Sequence, residues 1–133
     1  MIYIVDAGPL IAFLDNEPGA DVVEDILTEP GSECFAHTFN LTEVFYIYFR
    51  RGGRAMAEDA VQSLIEAGVI VRDDNDARFW MDAATFKGSH AMAFQDAFCL
   101  ALAVRLNGTL ITSDHNEFDP ILPQGIAPVI FIR

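Results

Sequence analysis

The sequence predicts an α/β fold in which a parallel sheet is covered on both faces by helices. Short apolar runs recur along the chain, at residues 2–5, 34–36, 69–71, 110–111 and 129–132, and turn or cap residues mark the ends of the segments. Longer segments with apolar residues at helical spacing lie between them. Short apolar strands alternating with helices are the pattern of a sheet buried between two helical layers.

Each element has a local reason. Ile2-Tyr3-Ile4-Val5 is a β-branched and aromatic run followed at once by turn residues, so it reads as a buried strand. Ala7-Gly8-Pro9 turns into a short helix near Leu10 to Leu14, which Asn16-Glu17-Pro18-Gly19 breaks. Val22, Val23, Ile26 and Leu27 have helical spacing within Asp21 to Leu27, and Pro30-Gly31 ends that stretch. Cys34-Phe35-Ala36 is the second strand. Thr38 is placed to cap a helix running to about Arg50 and stopping at Gly52-Gly53. Arg54 to Ala67 carries Ala57, Val61, Leu64 and Ile65 on one helical face, with Gly68 after its end. Val69-Ile70-Val71 is a strand, and Asp73-Asp74-Asn75-Asp76 offers a cap for a helix over Ala77 to Phe86. Met92 to Leu106, closed by Asn107-Gly108, is the strongest helix. Leu110-Ile111 and Val129 to Ile132 complete the strands.

A chain of 133 residues fits one domain, 1–133, with a core of its own. A hydrophobic content of 52% with 21% charged residues excludes a disordered chain. No apolar run reaches membrane-spanning length, and the start Met1 to Asp6 lacks a basic segment and a small-residue cleavage site, so the expectation is a cytoplasmic protein. Cys34 and Cys99 are far apart, sit among apolar residues and read as buried free thiols. The net charge of −12 opposes nucleic-acid binding by charge neutralisation, unless bound cations and a local basic patch invert the field where a phosphate sits. It also suits a basic partner protein.

Four carboxylates stand in apolar surroundings. Asp6 ends the first apolar run, Glu43 interrupts Leu41 to Phe49, Asp96 lies in a helix apolar on nearly every face, and Asp114 follows the run Thr109-Leu110-Ile111. Taken singly, Asp6 and Asp114 also read as helix or turn caps, and Glu43 as an exposed helical residue. Burying an unpaired carboxylate costs several kcal/mol, and only eight Lys and Arg face twenty Asp and Glu. Asp6 and Asp114 both fall at the carboxyl ends of predicted strands, where ligands bind in parallel sheets. A shared divalent-metal site accounts for all four, and the chemistry that uses one is phosphodiester hydrolysis. Mg²⁺ and Mn²⁺ prefer oxygen ligands, acidify a water nucleophile and stabilise a leaving oxygen.

Val5-Asp6-Ala7-Gly8-Pro9-Leu10-Ile11-Ala12, Asn40-Leu41-Thr42-Glu43-Val44, Phe94-Gln95-Asp96-Ala97-Phe98 and Leu110-Ile111-Thr112-Ser113-Asp114 resemble the four motifs of PIN domains, in the family's order and at about its spacing. The resemblance covers essentially the whole chain. It implies a three-layer α/β/α sandwich around a five-stranded, mostly parallel sheet, and an Mg²⁺- or Mn²⁺-dependent ribonuclease. Small members of the family are often VapC-type toxins, which implies an antitoxin partner whose Arg or Lys enters the acidic site. Carried over by motif, Asp6, Glu43, Asp96 and Asp114 are the metal-binding catalytic acids. Thr112 would orient Asp114 or contact substrate phosphate, Asp119 would be an auxiliary acid, and Asn40, one helical turn before Glu43, would face the site. Gln95 departs from the family pattern, where many relatives carry a small residue.

Arg50, Arg51 and Arg54 form a basic cluster that either grips RNA phosphates or complements a helix end. Lys87 precedes the Asp96 helix and could approach the site. His37, His90 and His115 share no ligand spacing, and His115 reads as a plain surface histidine. Aromatic residues crowd the Glu43 helix, mostly as core, and those left over would form a homodimer surface. An RNA-processing nuclease outside a toxin system and a non-catalytic acidic groove holding a basic protein remain as alternatives. A receiver domain or phosphatase is disfavoured, because no acidic pair follows the first strand, no late-strand Lys exists and Gly8 breaks an Asp-x-Asp pattern.

Overall fold

Five parallel strands form the sheet in the computed structural model, which describes residues 1–133. They are β1 (Ile2–Val5), β2 (Glu33–His37), β3 (Val69–Arg72), β4 (Thr109–Thr112) and β5 (Val129–Phe131), in the order β3-β2-β1-β4-β5. The alternation of side chains along a strand feeds two separate cores. Tyr3, Val5, Cys34, Ala36 and Ile111 enter one, and Ile4, Phe35 and Leu110 enter the other. The first core lies against α1 (Ala7–Asp15), α2 (Ala20–Thr28), α3 (Thr38–Gly52) and α4 (Arg54–Glu66). The second lies against α5 (Ala77–Ser89) and α6 (Phe94–Leu106). The result is the three-layer α/β/α sandwich expected from the sequence. No helix is long and apolar enough to cross a membrane.

The strand order explains where a ligand can sit. The chain moves outward from β1 through β2 to β3, then crosses back to place β4 and β5 on the other side of β1. The loops leaving β1 and β4 therefore diverge and open a crevice at the carboxyl edge of the sheet.

Several boundaries differ from the sequence expectation for identifiable reasons. Helix α1 begins at Ala7, three residues earlier than Leu10. Gly8 and Pro9 fall in its first turn, where backbone amides have no intrahelical partner to lose. The cap of α3 is His37 rather than Thr38: its Nδ1 accepts from the Phe39 amide at 3.0 Å, while its Nε2 meets the Asp74 carbonyl at 2.8 Å. Helix α5 runs on to Ser89, and α6 begins at Phe94 rather than Met92. After Asp114 come a short helix α7 (His115–Phe118) and a 3₁₀ segment over Asp119–Gln124.

Two junctions hold the Asp96 helix in place. Arg105, near its end, donates to Asp76 at 2.9 Å and to Asp74 at 3.1 Å and lies over the Phe79 ring, joining α6 to the β3–α5 connection. Gly108 leads from α6 into β4 so close to β1 that a Cβ there would fall 2.8 Å from Ile2 Cγ2 and 3.0 Å from the Ile2 carbonyl oxygen. Backbone cannot yield as a side chain can. Gly108→Ala is therefore expected to cost roughly 1–3 kcal/mol, read as a lower midpoint in urea unfolding at unchanged slope.

Candidate metal centre

Asp6 is the residue after β1 and the cap of α1. Its Oδ1 accepts from the Ala7 amide at 2.8 Å, and its Oδ2 accepts from the Thr112 hydroxyl at 3.0 Å. Thr112 ends β4 and is fully buried, and its Oγ1 accepts in turn from the Asp114 amide at 3.0 Å. One hydroxyl thus ties together the ends of the two strands that flank the crevice. Asp114 caps α7, accepting from the Glu117 amide at 3.0 Å. Gly8 allows this approach: a Cβ on it would lie 2.6 Å from Ser113 Oγ. Asp96 arrives from the opposite helical layer in the first turn of α6. Glu43 comes from the second turn of α3 and accepts from Gln95 Nε2 at 3.1 Å, so Gln95 holds α3 to α6.

These elements enclose a pocket of about 370 Å³ lined by Asp6, Glu43, Asp96, Asp114 and Glu117, with Gln95 at its side. No Lys, Arg or His lines it. The oxygens of Asp96, Asp114 and Glu117 lie within 4.8 Å of one another. Asp96 is 6% exposed and accepts no hydrogen bond from the protein, and Glu117 Oε2 is buried without a partner. Burial pushes the Asp96 carboxyl up to about 8, and the charges of Asp6, Glu117, Asp114 and Glu43 push the same way. Burial also pushes Asp6 up to about 6, against the lowering effect of the Ala7 amide and the Thr112 hydroxyl. Crowded carboxylates short of donors are unfavourable by themselves and favourable around a cation. An all-oxygen donor set without Cys or His fits a hard ion such as Mg²⁺ or Mn²⁺ better than zinc.

The remaining sequence candidates are placed differently. Asn40 is buried one turn before Glu43, away from the pocket lining, and both its amide atoms lack a hydrogen-bond partner. Asp119 stands outside the pocket on the surface, where its carboxylate meets His115 Nδ1 at 3.1 Å. His115 also meets the Arg133 carbonyl and stacks on Phe131. In the basic cluster, Arg51 pairs with Asp15 and Arg54 with Glu58, each at 2.8 Å, while Arg50 lies over the Tyr46 ring. Lys87 donates to the Met92 carbonyl at 2.8 Å. Both cysteines are free and buried. The pocket residue that sequence reasoning missed is Glu117. Its signal is the spacing Asp114-x-x-Glu117, a helix-cap pattern that brings both carboxyls to the same helix end.

Thr112→Val tests the bridge. The substitution keeps the shape but leaves the part-buried Asp114 amide unpaired and withdraws a donor from Asp6. A loss of roughly 1–3 kcal/mol in unfolding free energy is expected, with Asp6 titrating at higher pH by NMR. Thr112→Ser should restore both.

The profile of the PIN domain matches residues 3–121. No curated protein matches the sequence significantly. Among solved structures, VapBC-1 from nontypeable Haemophilus influenzae superposes with a TM-score of 0.74 at 20% identity, over 99% of this chain and 98% of that one. A toxin-antitoxin complex from Klebsiella pneumoniae gives 0.70 at 16% identity, over 98% of both chains. Mycobacterium tuberculosis VapC20, a sarcin-ricin loop cleaving toxin, gives 0.69 at 14% identity, over 90% of this chain and 95% of that one. At these identities the superpositions speak for the fold, while the profile spans most of the sequence and includes all five pocket acids. This chain belongs to the PIN domain family.

Proposed function

We propose that the chain is an endoribonuclease that hydrolyses RNA phosphodiester bonds with Mg²⁺ or Mn²⁺ held by Asp6, Glu43, Asp96 and Asp114. Glu117 joins them as a further ligand. The observation that carries this reading is a pocket of five carboxylates, without any basic side chain, in which Asp96, the one acid of α6, is buried and has no donor. Ions held by these carboxylates would supply charge to offset that of the scissile phosphate and to acidify an attacking water. The chain's own part is positioning. Thr112 fixes Asp6 against the end of β4, Gln95 fixes Glu43, and the α7 amides fix Asp114.

Likeness to toxin–antitoxin complexes supports a toxin role with a protein antitoxin, and the net charge of −12 favours a partner segment rich in Arg or Lys. A homodimer is the companion proposal, with Phe49, exposed at the end of α3, as part of its surface.

A panel of structured and single-stranded RNAs incubated with Mn²⁺, Mg²⁺ or EDTA tests the activity. Cuts are expected with metal and not with EDTA, and Asp114→Asn purified in the same way should make none. A folded, metal-binding wild type that cuts nothing in a broad panel, or cuts that survive Asp114→Asn, would overturn the reading.

A further inference from the structure

Beside the acidic pocket lies a second, smaller hollow of about 90 Å³ lined by Phe39, Thr42, Glu43, Tyr46 and Gln95. It shares Glu43 and Gln95 with the metal centre, so the two adjoin. Phe39, Glu43, Tyr46 and Arg50 follow one another at spacings of four, three and four residues, which makes them a single stripe on α3. The two aromatic rings are 41% and 40% exposed. Phe39 is braced from behind by Phe98, ring to ring at 4.7 Å, so its exposed ring is held rigidly.

Two cations lie nearby. Acids outnumber Lys and Arg twenty to eight, yet Arg50 and Lys87 make no ion pair. Both lie instead over exposed aromatic rings, Arg50 4.8 Å above Tyr46 and Lys87 5.1 Å above Phe94, the residue next to Gln95. Rings that stack on any base, next to basic groups that neutralise backbone charge, are what single-stranded nucleic acid needs. A duplex offers no exposed base face to such a shelf.

We infer that the Phe39–Tyr46 hollow is a nucleobase subsite that takes one unpaired base of the RNA strand next to the bond at the metal centre, with Arg50 on the neighbouring phosphate. This rests on the nuclease reading above and narrows its substrate to single-stranded or looped RNA. Stacking without base-edge contacts makes the subsite tolerant of base identity.

The test uses the full chain with Mn²⁺ and short phosphorothioate-linked RNA oligonucleotides carrying 2-aminopurine at successive positions, which report stacking by quenching. Quenching at one position is expected, and duplex RNA should show none. Phe39→Ala and Tyr46→Ala should each abolish the quench and weaken binding roughly tenfold, while Tyr46→Phe keeps both. In cleavage assays the same two substitutions should raise KM far more than they lower kcat. Arg50→Gln should weaken binding and flatten its salt dependence without removing the quench. Folded alanine variants with wild-type quench and affinity would overturn the subsite, as would variants that change only sedimentation, the mark of a self-association surface. A wild type that binds and quenches but never cleaves would sink the nuclease reading alone. One that cleaves with a KM indifferent to Phe39 and Tyr46 would sink the subsite alone.

Discussion

Asp96→Asn should melt about 5 °C or more above the wild type in EDTA at about pH 7.5, while its RNA cleavage with Mn²⁺ falls roughly 100-fold or further. The two effects share one cause. The Asp96 carboxyl is buried among four other acids and receives no hydrogen bond, which pushes it from an ordinary 3.8 up to about 8. A carboxylic acid whose pKa rises on folding keeps its proton in the folded state after the unfolded chain has released it. Stability therefore falls as pH climbs from about 4 through about 8. Asparagine is neutral at every pH and adds an N–H donor facing the remaining acids. The gain should shrink toward about pH 4, where the carboxyl of the unfolded wild type regains its proton as well. Differential scanning calorimetry of both proteins across that range decides it. A variant melting below the wild type at neutral pH, or a metal-free wild type with flat pH dependence, would show that Asp96 carries no such burden.

Mn²⁺ should stabilise the wild type strongly near neutral pH and weakly under mild acid. An ion present at about a hundred times its dissociation constant adds about 2.7 kcal/mol to a folded state that alone binds it. Around pH 5.5 protons compete for Asp96 and Asp6, whose carboxyls titrate near 8 and 6, and the same Mn²⁺ should give a smaller shift. Asp96→Asn should lose most of the response at both values. RNA affinity should follow the metal too, because the empty charge of the pocket repels phosphate. Fluorescence anisotropy showing equal affinity with Mn²⁺ and with EDTA would sink that electrostatic account.

The acids that sequence reasoning located share a local signature: a carboxylate within three residues of the end of an apolar run or inside an apolar helix. Asp6, Asp96 and Asp114 carry it because the site is built at strand ends and in a buried helix, and those contexts are written in adjacent residues. Glu117 carries no such mark. It reads as an ordinary first-turn acid and becomes a pocket residue only because α6 brings Asp96 against it from the other layer. Asp119 is chemically equivalent and two residues away, but its carboxyl turns outward to His115. The strands were legible from their apolar runs, and their parallel order from the alternation with helices. Helix starts were less so. Capping by His37 needs a ring held by Phe79 stacking and by the Asp74 carbonyl, both tertiary contacts that local propensity does not contain.

The bridge from Thr112 to Asp6 and Asp114 has a temporal consequence. β1 emerges before β4 during synthesis, yet one of its two edges pairs only with β4, Ile4 beside Leu110. A nascent chain still short of that point holds Asp6 with no partner across the crevice and no Asp114 or Glu117. On the proposed function, the site could therefore cut only once the chain through α7 has been made. An amino-terminal fragment ending before β4 would be inert toward the RNA around it.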